Sequence, residues 1–313
     1  MHLRRDLEQT DRETLGELFG AIGQLGLKVY HYEHPKVLAE HAALHTSDVV
    51  LSIFGGAISR SRMALVPAVC EAMGLSYIGP DAYGRVICQD KEVSKALAAE
   101  AGLKVASHRI VRSRGDLSRL ADFPLPYVAK PMWEGSSIGI GPDSLITDHS
   151  KGAEVVAYLL EHFKQPVMVE TFVAGREVSF CYIEAPAPNG HRSLAELVWG
   201  DEPDHFDRHL YDAAHKAPAA VKTVRAINDE LRCNEAEAME QLLQFVGPTG
   251  YGRIDGKLYD GEFVFLEMTP DAWLAPTGTF ALSFSCIGMS YEDIIAHVLL
   301  SARPSPQGRS AND

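Results

Sequence analysis

Gly252-Arg253-Ile254-Asp255-Gly256-Lys257-Leu258-Tyr259-Asp260-Gly261-Glu262-Phe263-Val264-Phe265-Leu266-Glu267-Met268-Thr269 is the stretch whose reading decides the fold. Two apolar runs flank a turn at 259–262, and each carries one carboxylate at a matching place. A hairpin of this length sets Asp255 and Glu267 side by side on adjacent strands. Two carboxylates packed together repel unless a cation lies between them. Glu267 also lies inside an apolar strand, where an unpaired charge is expensive. Hard oxygen ligands with room for water and phosphate suit Mg²⁺. The competing explanation is a salt bridge to Arg253.

Upstream, Tyr127-Val128-Ala129-Lys130 reads as a strand ending in a lysine. It runs through Pro131-Met132-Trp133 into Glu134-Gly135-Ser136-Ser137-Ile138-Gly139. The glycines let backbone N–H groups turn toward one centre, and the serines add hydroxyl donors, which suits polyphosphate oxygens. A surface turn with a salt-bridged lysine is the alternative. The loop is not a P-loop, since no Gly-Lys-Ser/Thr follows four spacer residues. Next, Val167 to Phe172 reads as a strand that breaks at Ala174-Gly175 before a second one begins. A crossing there could offer backbone groups to a purine and Glu177 to a ribose, although a plain β-turn fits as well.

The rest of the chain fills in a mixed α/β (α+β) pattern. The first 89 residues alternate helix (15–25, about 37–44, 61–73) with strand (28–32, 49–54, 77–79), the rhythm of an open α/β lobe. Helices are expected over about 90–101, 151–163, 224–245 and 291–302. Strands are expected over 107–111, 127–130, 167–172, 178–184, 194–199, 251–259 and 263–268. Length suggests two or three lobes. The divisions read as 1–89, 90–173 and 174–304, with 305–313, rich in Pro, Ser and Gly, a disordered tail.

Composition narrows the function. The 313 residues are 46% hydrophobic and 23% charged, as in a globular protein. A net charge of −13 argues against a nucleic-acid partner and requires a local positive pocket for any bound anion. Five scattered cysteines without CxxC spacing are no disulfide framework and point to reduced thiols in the cytoplasm. No apolar run approaches the about 20 residues that span a bilayer, and no signal-peptide core follows Met1 to Arg5.

Taken in order, Gln89-Asp90-Lys91, Lys130, the Glu134 to Gly139 loop, Glu170, Asp255, Glu267 and Gly288-Met289-Ser290 resemble the ATP-grasp superfamily and, within it, the D-alanine–D-alanine ligase family. The likeness runs from about Asp90 to Ala302. It implies three lobes with ATP between two antiparallel sheets. By that likeness Lys91 and Lys130 hold the α- and β-phosphates, Ser136, Ser137 and nearby backbone N–H groups cover the γ-phosphate, and Glu134 belongs to the same cofactor-binding set. Glu170, Thr171, Phe172 and Val173 contact adenine, and Glu177 the ribose. Lys216, in Tyr211-Asp212-Ala213-Ala214-His215-Lys216, reaches the γ-phosphate from a mobile loop. Asp255, Glu267 and Thr269 hold two Mg²⁺ ions, or Mn²⁺ in their place. Arg253, Lys216 and Ser137 are the catalytic residues, with Arg253 steadying the transferring phosphoryl group and the later oxyanion. The implied reaction is ATP-dependent amide formation on a small amino-acid substrate through an acyl phosphate, by an enzyme that can be a homodimer.

The departures fall on the substrate side. The family's first strand is not recognisable before the first helix. Its acidic loop is here Phe54-Gly55-Gly56-Ala57-Ile58-Ser59-Arg60-Ser61-Arg62, with Arg60 and Arg62 suited to an anionic substrate group at a helix N-terminus or else solvated. Ala217 follows Lys216 where the family has tyrosine. Thr269 replaces an asparagine, with Asp271 as a substitute metal donor. Trp273 replaces a glycine and would fill the acceptor pocket, near Gly278. A product other than D-alanyl-D-alanine is therefore expected. Closure of one amino acid on itself, a non-catalytic nucleotide-binding protein and a small-molecule kinase are the alternatives. His205, His209 and His215, with Asp204, Asp207 and Asp212, form a second polar cluster, read as a solvated loop in preference to a zinc site.

Overall fold

The computed structural model describes residues 10–55, 60–186, 188, 190–212, 214–216 and 222–304. The expected tail, the residue after Lys216, the start of the chain and the turn at 56–59 lie outside them. Twelve strands are present among the described residues: β1 Val49–Val50, β2 Ser76–Tyr77, β3 Lys104–Val105, β4 His108–Val111, β5 Tyr127–Pro131, β6 Leu145–Ile146, β7 Val167–Thr171, β8 Arg176–Ile183, β9 His191–Trp199, β10 Lys222–Ala226, β11 Tyr251–Tyr259 and β12 Glu262–Thr269. The α-helices are α1 Arg12–Gln24, α2 Pro35–His41, α3 Leu65–Met73, α4 Ala82–Gln89, α5 Lys91–Glu100, α6 His149–Phe163, α7 Cys233–Val246, α8 Thr279–Ser285 and α9 Tyr291–Leu300.

The strands form three sheets: a small parallel pair β1-β2, a four-stranded sheet β4-β7-β5-β6, and a six-stranded sheet β10-β9-β8-β11-β12-β3. The four-stranded sheet is wholly antiparallel. The six-stranded one is antiparallel except where β3 runs alongside β12. The chain therefore passes between these two sheets twice, at 106–107 and again at 172–175. Those passages lie side by side, since Thr171 N–H donates to the Ser107 carbonyl at 2.9 Å. Helix α5 and strand β3, which follow the expected division at 89/90, pack on the six-stranded sheet.

The apolar faces close in layers. Ile87, Ala98, Met239, Leu242, Ile254 and Phe265 put α4, α5 and α7 against one face of the six-stranded sheet. On its other face Leu18, Ile22, Phe280, Phe284, Ile294 and Val298 bury α1, α8 and α9 against Cys181 and Ile183. Helix α6 covers the four-stranded sheet through Val155, Val156, Leu159 and Phe163. Gly152 permits that contact, because a Cβ there would lie 2.0 Å from the Tyr127 hydroxyl. Side-chain caps start the helices: Asp11 accepts from Thr14 N–H at 2.8 Å, and Asp148 from Ser150 N–H at 2.7 Å.

Several expected elements differ. Residues 28–32 form no ladder with any strand among the described residues. The strand expected over 49–54 pairs only at Val49 and Val50. The helix expected over 224–245 is a strand followed by a helix. Residues 222–226 pair with β9, and Asn228 accepts from Leu194 N–H at 2.6 Å, so α7 starts only at Cys233. Helices α4 and α8 have no counterpart in the expected pattern.

Candidate functional site

The hairpin β11–β12 turns at Asp260-Gly261, both with positive φ, 51° and 68°. Its register sets Asp255 opposite Glu267 and Arg253 opposite Thr269. The register slips between Asp255 and Gly256, leaving Leu266 as an extra residue on the returning strand. The expected pairing of the two carboxylates is thus present. So is the competing salt bridge, since Arg253 lies 3.1 Å from Asp255 Oδ2. Ser179 also donates to Asp255 Oδ1 at 2.6 Å, and the Thr269 hydroxyl to Oδ2 at 3.3 Å. Thr269 therefore orients Asp255. Asp271, the substitute donor, is drawn away by buried Arg85 at 2.8 Å. Among the described residues, no group of three or more His, Cys, Asp or Glu is arranged to hold a metal.

Cations gather around Glu267. Lys91 Nζ is 3.4 Å from its carboxylate and also donates to the Glu134 carbonyl. Burial opposes ionisation of Glu267, but Lys91, Lys130, Lys216 and Arg253 together hold its pKa down at about 2. Burial likewise works against charge on Arg253, and Asp255 outweighs it, so its pKa is raised. Lys216 is half-buried, with Nζ 5.2 Å from the centre of the Tyr211 ring. Desolvation lowers its pKa to about 8 even though Glu267 favours the charged form.

Lys130, on β5, meets Glu170 of the neighbouring β7. Glu170 is buried between Lys130 and Lys95, and those two cations overcome its desolvation to hold its pKa at about 2. Glu177 faces Lys257 at 2.9 Å; the same lysine donates to the Gly175 and Phe206 carbonyls. Thr171 and Phe172 use their N–H groups on the Ser107 and Pro126 carbonyls, and Val173 follows, half-buried. Lys95 and Lys257 were missed in the sequence. Lys95 lies four residues after Lys91, on the same helical face, which was the available signal.

The loop at 134–137 is fixed at its base and left-handed at its tip. Glu134 is gripped by Gln165, which donates to Oε1 at 2.6 Å, and by Arg62, 3.1 Å from Oε2. Ser136 and Ser137 both have positive φ, 51° and 60°, a rare state outside glycine that turns successive N–H groups to one side. Ser137 Oγ donates to the Tyr211 carbonyl at 2.9 Å, joining this loop to the one that carries Lys216.

On the substrate side, Arg62 is buried, so it is not solvated. Arg60 is exposed, over the Trp133 ring at 5.1 Å and 3.8 Å from Asp90. Trp273, expected to fill the acceptor pocket, is 43% exposed. Gly278 lies beneath it: a Cβ there would meet the indole at 3.3 Å. Of the expected solvated cluster, Asp204, Asp207 and His209 are exposed, whereas His205, His215 and Asp212 are packed. His205 and His215 meet through their Nε2 atoms at 2.9 Å, His205 faces Glu202 and His215 faces Asp212, and the rings pack on Trp199 and Phe206.

This fold and its relatives define an ATP-grasp carboxylate–amine ligase. Residues 97–300 match the family model described as D-ala D-ala ligase C-terminus, and the chain belongs to that family. It is 28% identical over 262 residues to a D-alanine–D-alanine ligase of Gluconobacter oxydans, spanning 79% of this chain and 78% of the relative. The solved D-alanine–D-alanine ligase from Bacillus anthracis complexed with ATP superposes with a TM-score of 0.70 at 17% identity, over 96% of this chain and 94% of that one. The VanG D-Ala:D-Ser ligase from Enterococcus faecalis gives 0.65 at 18%, over 81% and 72%. No helix among the described residues is long and apolar enough to cross a membrane.

Proposed function

We propose that the chain joins a carboxylate to an amine at the expense of ATP, through an acyl phosphate, with an amino acid other than a pair of D-alanines as substrate. The observation that carries the reading is the pairing of Asp255 with Glu267 in register, ringed by Lys91, Lys130, Lys216 and Arg253. A chain of net charge −13 gathers these cations in one cleft, which suits a polyphosphate. The donor set fits Mg²⁺ held jointly with phosphates, because that ion commonly takes one or two carboxylates and leaves its other positions to water and phosphate. Asp255 and Glu267 would hold it, and bound there it would neutralise charge on the phosphate oxygens.

The chain's own residues supply the rest. Lys91 and Lys130 orient the phosphates, and Ser136 and Ser137 present donors above them. Lys216 and Arg253 face the atoms where negative charge grows, first on the phosphoryl group and then on the tetrahedral carbon's oxygen. The Ser137–Tyr211 contact brings two loops together over the cleft and would keep water from the acyl phosphate. The nucleotide's base and ribose lie, in this reading, along Glu170 to Val173 and Glu177. The substrate lies near Arg60, Trp273 and Gly278. An exposed indole at 273 and Arg62 bound to Glu134 support a substrate site of its own kind.

The test is phosphate release with Mg²⁺ and ATP over D- and L-amino acids, singly and in pairs, with mass spectrometry of the product. Turnover with a nonstandard amino acid is expected. One amino acid sufficing, with a product lighter by one water, would establish internal closure. D-Alanyl-D-alanine as the main product would refute the substrate assignment, and no turnover with any amino acid would refute the ligase reading.

A further inference from the structure

Lys95 has no solvent exposure, yet it is a lysine, and an unpaired ammonium at such depth is costly. Its Nζ lies 2.8 Å from Glu170 Oε2 and donates to the Phe265 carbonyl at 3.2 Å. Glu170 belongs to β7 of the four-stranded sheet and Phe265 to β12 of the six-stranded one. One buried ammonium thus ties both sheets at the back of the cleft. The other oxygen of Glu170 meets Lys130. Two lysines therefore share one carboxylate; burial opposes the charge on Lys95 and Glu170 favours it, and with both lysines charged the trio carries one net positive charge.

Consider the same place without the charge on Lys95. Glu170 and Lys130 would then form a closed, neutral pair, and the carboxylate would draw the Lys130 ammonium back from the cleft. With Lys95 present, part of Glu170's attraction is taken up from behind.

We propose that Lys95 is a positioning residue for the nucleotide: by sharing Glu170 it leaves Lys130 a net cation toward the phosphates and sets the separation of the two sheets behind them. The inference rests on the ligase reading above. It acts through Lys130 and needs no contact between Lys95 and ATP.

The test compares the full-length wild type with Lys95→Met, Lys95→Gln and Lys95→Arg. Titration calorimetry with Mg·ADP gives nucleotide affinity, and steady-state kinetics separate KM for ATP, KM for the amino acid and kcat. Lys95→Gln keeps a donor for the Phe265 carbonyl while removing the charge, so it serves where Lys95→Met does not fold. Loss of charge is expected to weaken Mg·ADP binding and raise the ATP KM by about tenfold, with kcat at saturation and the amino-acid KM little changed. Lys95→Arg keeps the charge and should bind within about threefold of wild type. Unchanged Mg·ADP affinity in Lys95→Gln, with only a lower melting temperature, would overturn the proposal and leave Lys95 a packing residue. A wild type that itself binds no Mg·ADP would instead overturn the ligase reading.

Discussion

Glu267 interrupts an apolar strand, and four cations keep it ionised. Replacing it by glutamine keeps the shape and removes the charge that balances Lys91, Lys130, Lys216 and Arg253. Glu267→Gln should retain the circular-dichroism spectrum and lower phosphate release by about 100-fold or more, as loss of a central electrostatic group does. Lys216 gives a pH signature. Its pKa is lowered to about 8, so it is charged below that pH and neutral above. Its attraction for phosphate is therefore lost as pH climbs through 8, and kcat/KM for ATP should fall on that limb. In Lys216→Met the limb should disappear; its persistence would assign the titration elsewhere. At this scale the sequence was readable where a charge broke an apolar run, as at Lys130 and Glu267. It was unreadable where a residue's meaning is its partner: Lys257, Gln165 and Arg85 acquire theirs from strands and loops far along the chain.

Among the elements, the β11–β12 hairpin carries the site because its register is pinned. Gly256 stands beside the slip that follows Asp255, and a Cβ there would come within 2.4 Å of the Phe263 ring and 2.6 Å of the Val264 carbonyl. A backbone carbonyl and a buried ring cannot both withdraw, so Gly256→Ala should destabilise by about 1–3 kcal/mol in denaturant melts. Activity should fall as well, since the pairing of Asp255 with Glu267 depends on this register. The hairpin was legible from two apolar runs of similar length around a turn. The helix expected over 224–245 was misread because Val224, Ile227 and Leu231 continue the helical spacing of the residues after them. Pairing of 222–226 with β9 decided otherwise, and nothing local announces that partner.

For the molecule as a whole, cysteine placement gives a simple check of the packing. Cys70, Cys88 and Cys181 are buried, and burial pushes their thiols up, Cys70 and Cys181 to about 12. Cys233 and Cys286 are exposed. A thiol reagent should therefore label two cysteines in the native protein and all five in denaturant. Rapid native labelling of Cys88 or Cys181 would contradict the layering described for the six-stranded sheet. The plan of two antiparallel sheets came with the family resemblance that the ordered motifs carry, whereas the allegiance of α5 and β3 to the six-stranded sheet did not, because a short strand such as Lys104–Val105 has almost no pattern to read. That allegiance has a mechanical result. The polypeptide enters the four-stranded unit at Ala106 and leaves it at Phe172, and the two threads are stitched together by the Thr171–Ser107 bond. A body hung on two adjacent threads resists being wrung about them, so any opening between the two sheets would turn about the line those threads make.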